Sequence, residues 1–88
     1  ESTMSRPEVL FWRTSTGTEV DFLIEQGRRL VPIEVKSSPR VRWEDVRHLD
    51  AFLEEHESRA PFGIVLYDGR KPERVTRRIV ALPVTFFL

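Results

Sequence analysis

Hydrophobic and polar residues alternate along the first third of the chain, which is typical of β-strands that bury one face. The alternation predicts three strands, over residues 10–14, 19–25 and 30–36. Short turns that contain Gly17 and Gly27 separate them. Strands joined by such short turns form an antiparallel meander.

The rest of the chain predicts a helix and further strands. Residues 43–56 carry apolar residues at helical spacing: Trp43, Val46, Leu49, Phe52 and Leu53. Residues 62–67 are apolar almost throughout and predict a central strand covered on both faces, and residues 79–82 predict another. Pro32 inside the third strand predicts an edge position or a bulge. The expected fold is α/β: a small mixed sheet with a three-stranded meander, a crossover helix and a parallel fourth strand.

Charged side chains collect on one face of the second and third strands. Successive strand residues point to opposite faces, so Glu19 and Asp21 share a face, as do Glu34 and Lys36. The opposite faces are apolar and are expected to form one continuous core surface: Val20, Phe22, Ile24, Val31, Ile33 and Val35. Stability alone would not gather three carboxylates and one ammonium, because like charges repel. A divalent cation would compensate them.

Length and composition narrow the class of protein. A chain of 88 residues with 40% hydrophobic and 32% charged residues is typical of one small globular domain. It has no cysteine, which excludes disulfides and thiolate metal sites. No apolar run approaches the roughly 20 residues of a membrane helix, so we expect a cytoplasmic protein. The formal net charge of zero argues against strong, sequence-independent nucleic-acid binding.

The two ends of the chain differ from its middle. Residues 1–8 are polar and are expected to be a flexible lead or a cloning remnant, which leaves 9–88 as the domain. The chain begins at Glu1, so we expect a piece of a longer protein. The apolar tail, residues 82–88, requires burial in this domain or against another chain.

Asp21, followed after a turn by Glu34-Val35-Lys36, resembles the PD-(D/E)xK nuclease signature. A longer set of sequence segments resembles the C-terminal domain, of unknown function, of prokaryotic AAA+-type ATPases. These segments are Phe11-Trp12-Arg13, Glu19-Val20-Asp21-Phe22, Pro32-Ile33-Glu34-Val35-Lys36-Ser37 and Leu82-Pro83. The resemblance implies a restriction-endonuclease-like core, without the family's leading helix. It also implies an ATPase module in cis. No phosphate-binding GxxxxGK[ST] loop occurs in this chain, so any ATPase activity is expected in sequence upstream of it.

The resemblance also implies roles for individual residues. Asp21 and Glu34 would bind Mg²⁺ or Mn²⁺, with the Val35 backbone carbonyl as another ligand. Glu19 is a further candidate ligand. Lys36 would orient the attacking water or stabilise developing negative charge, and Arg13 would contact a substrate phosphate. The implied activity is metal-dependent hydrolysis of DNA.

Structural alternatives exist for the same residues. Glu34 and Lys36 could form a solvated ion pair, and Glu19 and Asp21 could pair with Arg13 or Lys36. For Glu19 and Arg13 the structural role is favoured. His48 and His56 are expected at the surface, and Trp12 and Trp43 in the core.

The alternative function is a catalytically inactive module that binds DNA or protein. A homodimer could form through an uncovered sheet face or through the apolar C-terminal tail. A nuclease should bring Asp21, Glu34 and Lys36 into one cleft. A binding module should show arginines converging on one face, and an interaction module should show the apolar tail or the uncovered sheet face packed against another chain.

Overall fold

The computed structural model describes residues 8–13 and 19–87, with side chains from Val20 to Phe86. The elements in this part of the chain are β1 (Glu8–Arg13), β2 (Glu19–Gln26), β3 (Arg29–Lys36), α1 (Trp43–Glu55), β4 (Gly63–Tyr67), β5 (Glu73–Arg74), β6 (Ile79–Pro83) and a 3₁₀ helix (Val84–Phe87). Among the described helices, none is long and apolar enough to cross a membrane.

The strands form one mixed sheet in the order β1-β2-β3-β4-β6-β5. The first three strands are an antiparallel meander, and α1 connects β3 to the parallel strand β4. β6 is parallel to β4. The two-residue strand β5 pairs with β6 in antiparallel orientation and forms the edge of the sheet. The predicted mixed α/β fold is confirmed, and β5 and the 3₁₀ helix are additions to it.

Helix α1 buries one side against one face of the sheet. Its buried residues are Val46, Leu49, Phe52 and Leu53. The core on the sheet side consists of residues from four strands: Leu23, Leu30, Pro32, Val65, Tyr67, Ile79 and Ala81. Trp43, expected in the core, is 50% exposed because it begins the helix ahead of the first buried residue.

The prediction of which sheet face forms the core was wrong. The helix packs on the face that carries Leu23 and Pro32, which is also the face of Asp21, Glu34 and Lys36. The other face is the open face, and its residues are half-buried or exposed: Phe22, Ile24, Val31, Ile33, Val35, Ile64, Leu66, Val80 and Leu82. Of the six residues predicted to form the core surface, all of them described, only Val20 is buried.

The same finding corrects the expectation that β4 is covered on both faces. Gly63, Val65 and Tyr67 are buried beneath the helix, whereas Ile64 and Leu66 are half-buried on the open face. The single crossover from β3 to β4 places α1 on one face, and apolar residues alternate with the charged ones there.

Pro32 lies in an internal strand rather than at an edge or in a bulge. The Leu30 N–H donates to the carbonyl of Arg59 at 2.9 Å, on the side of β3 that faces away from β2. The nitrogen two residues later points the same way, and pairing with β4 begins only at Ile33. Pro32 therefore costs the sheet no ladder hydrogen bond.

The apolar tail is buried only in part. Pro83 is buried at the end of β6, but Phe86 in the 3₁₀ helix is 58% exposed. The side chains after Phe86 lie outside the described residues.

Candidate functional site

The candidate site lies where the sheet divides. Pairing between β2 and β3 runs from Gln26–Arg29 to Phe22–Ile33 and ends there. Beyond that point the start of β2 remains paired with β1, and the end of β3 remains paired with β4 through Lys36 and Tyr67. A gap therefore opens between β2 and β3, and the predicted site residues border it.

Asp21 occupies the β2 side of this gap. Its Oδ2 accepts a hydrogen bond of 2.8 Å from the backbone N–H of Val35. In a continued antiparallel ladder this N–H would bond to a backbone carbonyl of β2. The carboxylate thus takes the place of a ladder acceptor, which fixes Asp21 next to the Glu34-Val35 peptide.

Glu34 occupies the β3 side of the gap, half-buried beneath α1. Its Oε1 atom is buried and has no hydrogen-bond partner among the described residues. Burial and, second, the neighbouring charge of Asp21 raise the pKa of Glu34 from 4.5 to about 7, against smaller opposing effects of His48 and Lys36. Glu34 is therefore a carboxyl group that water and protein solvate poorly.

Lys36 at the end of β3 pairs with the helix. Its Nζ lies 3.0 Å from Oδ1 of Asp45, and both side chains are partly exposed. Lys36 still lies close enough to Glu34 to lower the pKa of that carboxyl group. The structure thus brings Asp21, Glu34 and Lys36 to one region, with Lys36 held by an acidic partner.

Sequence reasoning missed Asp45 and His48 as members of this region. Asp45 is not named among the predicted site residues, and His48 is treated only as a surface residue. His48 is exposed, as expected, and both residues influence the pKa of Glu34. Their i, i+3 spacing on the helix that directly follows β3 was the available signal.

Two predicted site residues lie outside the described side chains. The backbones of Arg13 and Glu19 are paired across β1 and β2. Their side chains are not described, so their proposed roles stay predictions. Trp12 lies in β1 beside Arg13, and its side chain is not described either, so its expected place in the core stays a prediction.

A family comparison places the chain. A family described as a domain of unknown function (DUF4143) matches residues 1–87. The chain belongs to the DUF4143 family. This family is typically found with AAA ATPases. Searches of curated proteins and of solved structures found no match.

The donor atoms of this DUF4143 domain suit a hard divalent cation. In an extended strand the N–H and C=O of one residue point to the same side, so the Val35 carbonyl faces the gap together with Asp21. Among the described residues, no three His, Asp or Glu side chains converge as a metal site. Magnesium is commonly held by one or two carboxylates and several waters. The pair formed by Asp21 and Glu34 fits that type of site, and Oε1 of Glu34, which has no partner among the residues that the structure describes, is available as a ligand atom.

Proposed function

We propose that this DUF4143 domain is a divalent-cation-dependent phosphodiesterase that acts on DNA in the cytoplasm, joined in cis to an AAA+-type ATPase module. One observation carries the proposal. A buried carboxyl oxygen of Glu34, which has no hydrogen-bond partner in the part of the chain that the structure describes, lies near the carboxylate of Asp21 at a gap in the sheet. Such a pair is costly to the fold unless a cation binds it. The order of meander, crossover helix and parallel strand also fits a restriction-endonuclease-like core.

The residues of this chain have distinct roles in the proposed reaction. Asp21 and Glu34 hold Mg²⁺ or Mn²⁺ through their oxygens, and the Val35 carbonyl is a third ligand. The bound cation supplies activation of water and neutralisation of phosphate charge. Lys36 provides a fixed positive charge for the developing oxyanion. Glu19 remains a further candidate ligand, and Arg13 remains a candidate phosphate contact.

Calorimetric titration with MnCl₂ at a pH above 7 tests the cation site directly. Wild type is expected to bind one cation, and Asp21→Asn and Glu34→Gln are expected to lose binding. Asn at position 21 retains an oxygen acceptor for the Val35 N–H, so the variant should fold. Asp68→Asn, an exposed carboxylate in another loop, is the matched control and should bind as wild type does.

Cleavage of plasmid DNA in Mg²⁺ or Mn²⁺ then tests the reaction. The proposal expects cleavage by wild type and none by Lys36→Met, which retains the carboxylates. Cation binding without cleavage would leave a metal site with no nuclease activity. Absence of binding by wild type would remove the metal mechanism.

A second candidate function, an interaction module, is favoured by the open face. Apolar residues from β2, β3, β4 and β6 form that face, and Val35 on it is 44% exposed. A contiguous apolar surface on a domain is a common feature of protein interfaces. Sedimentation of wild type and of Ile33→Asp tests a homodimer: dissociation by the variant alone supports the second candidate, and a monomeric wild type contradicts self-association.

A further inference from the structure

The carboxyl ends of three parallel strands meet at one edge of the sheet. Lys36 of β3 lies beside Tyr67 of β4, which lies beside Pro83 of β6. The connection after β3, residues 37–42, and the connection after β4, residues 68–72, therefore leave the sheet side by side. Open α/β sheets bind ligands at this edge.

The two connections are fixed to each other and to the sheet. The backbone N–H of Asp68 donates to the carbonyl of Ser38 at 2.9 Å. The hydroxyl of Tyr67 donates to the carbonyl of Lys71 at 2.5 Å, which ties the second connection back to β4. Gly69 packs so closely on the ring of Tyr67 that a Cβ would overlap it. Both connections thus present their side chains from an ordered backbone.

Basic side chains predominate in these connections. Residues 37–42 and 68–72 contain four basic side chains and one carboxylate, Asp68, and we call the basic set the basic loops: Arg40, Arg42, Arg70 and Lys71. All four residues are exposed. Within the described part of the chain none of them forms an ion pair, whereas Arg59 and Arg78 pair with Glu25 and Asp50.

We propose that the basic loops are the docking surface for the phosphate backbone of duplex DNA. The first loop begins directly after Lys36, and Arg42 directly precedes the helix that carries Asp45, so bound phosphates lie next to the carboxylate gap. The choice of DNA rests on the proposed function, whereas the positive, preformed surface is a property of these loops. Four phosphate contacts account for a weak, salt-dependent affinity, which is compatible with a net charge of zero for the whole chain.

The test measures binding without catalysis. Fluorescence anisotropy of a short fluorescein-labelled DNA duplex is titrated with protein in EDTA, at several salt concentrations. The site variants are the double substitutions Arg40→Glu/Arg42→Glu and Arg70→Glu/Lys71→Glu. The matched control is Arg28→Glu/Arg29→Glu, which reverses two exposed charges at the opposite end of β3. Circular dichroism confirms that each variant is folded.

Each site variant is expected to weaken binding by about tenfold or more and to reduce the salt slope by about two, while the control binds as wild type does. Equal weakening by the control would overturn the proposal, because the charge effect would then not belong to this surface. Wild type that does not bind the duplex at low salt, or prefers single-stranded RNA, would also overturn it.

The outcome is separable from that of the proposed function. Duplex binding that depends on the basic loops, together with no cation binding or cleavage, supports the docking surface and contradicts the nuclease. If the site variants cleave DNA with the same KM as wild type, the result supports the nuclease and contradicts the docking surface.

Discussion

Lys36 Nζ on β3 lies 3.0 Å from Oδ1 of Asp45 on α1, while Oδ2 of the same carboxylate accepts a 2.9 Å hydrogen bond from the backbone N–H of Arg42. One side chain therefore fixes both the start of the helix and the lysine of the candidate site. The Arg42 hydrogen bond, and second the bond to Lys36, lower the pKa of Asp45. The ion pair also explains how Lys36, which lies close enough to Glu34 to lower its pKa, is kept from pairing fully with that carboxyl group.

Removing this carboxylate should destabilise the domain. Asp45→Ala is expected to lower the free energy of unfolding by about 1–2 kcal/mol, because it loses a capping interaction and a partly exposed ion pair. The contribution should be present above pH 3.8, the ordinary pKa of the side chain, and should disappear as the pH falls through its lower folded value. Urea denaturation at neutral and acidic pH measures both effects.

Two controls separate the cap from the ion pair. Lys36→Met keeps the hydrogen bond to Arg42 and should cost less than Asp45→Ala. Glu44→Ala removes a neighbouring exposed carboxylate in the same helical turn and should cost less still. A cost for Lys36→Met equal to that for Asp45→Ala would show that the cap contributes nothing.

Glu34 should make the domain less stable as the pH rises. Its pKa is about 7 in the folded chain and 4.5 ordinarily, so the folded state holds a proton that the unfolded state releases between these values. Its contribution to stability is complete below pH 4.5 and is lost as the pH rises through about 7. One pKa unit corresponds to about 1.4 kcal/mol; because the side chain is only half-buried, we expect a loss of about 1–2 kcal/mol.

Glu34→Gln tests this loss, because the amide stays neutral throughout. The urea midpoint of the variant should fall less than that of wild type between pH 4.5 and pH 7. Glu54→Gln, at an exposed position of α1, is the matched control and should follow wild type. Identical profiles for wild type and Glu34→Gln would contradict the raised pKa.

Most of the fold could be predicted because the relevant signals are local. Alternation defines the strands, Gly27 with its positive φ marks one turn, and the three-and-four spacing defines the helix. The covered face of the sheet could not be predicted this way, because both faces of β2 and β3 carry apolar residues. The face that is apolar throughout is the open one. The helix covers the other face, where the buried residues Leu23 and Pro32 alternate with charged side chains.

The candidate site could be predicted only within its strands. Alternation correctly placed Asp21, Glu34 and Lys36 on one face. The contribution of Asp45 depends on how the helix packs against the end of β3, and the divergence of β2 from β3 depends on the pairing of each with its other neighbour. Neither relationship is encoded in the spacing of residues along one element.

The two faces of the sheet should respond differently to the same truncation. Val65→Ala, at a position 1% exposed beneath α1, should lower the free energy of unfolding by about 2 kcal/mol through lost burial and the cavity left behind. Val35→Ala, at a position 44% exposed on the open face, should cost less than about 1 kcal/mol. Urea denaturation of dilute protein measures both.

Equal costs for the two variants would contradict this assignment and show that the open face is covered in solution. Repeating the Val35→Ala measurement at increasing protein concentration identifies the cover. A cost that grows with concentration indicates that a second copy packs on the open face.

Gly69 should be the least replaceable glycine in the described chain, because the space for a side chain is filled by the ring of Tyr67. Gly69→Ala places a Cβ into the ring of Tyr67, which must displace the loop or the buried ring. We expect a loss of about 1–3 kcal/mol in the free energy of unfolding, typical of overpacking. Gly27→Ala is the informative comparison, because Gly27 has a φ of 62° and open space around a Cβ, so only backbone strain of about 1 kcal/mol applies. If Gly69→Ala is as stable as wild type, the loop yields easily, and its basic side chains are not held by the contact with Tyr67.

Removing the Tyr67 hydroxyl should affect duplex binding more than stability. Tyr67→Phe loses the hydrogen bond that this hydroxyl donates to the carbonyl of Lys71. The variant should bind duplex DNA more weakly, and its stability should fall by no more than the contribution of one hydrogen bond.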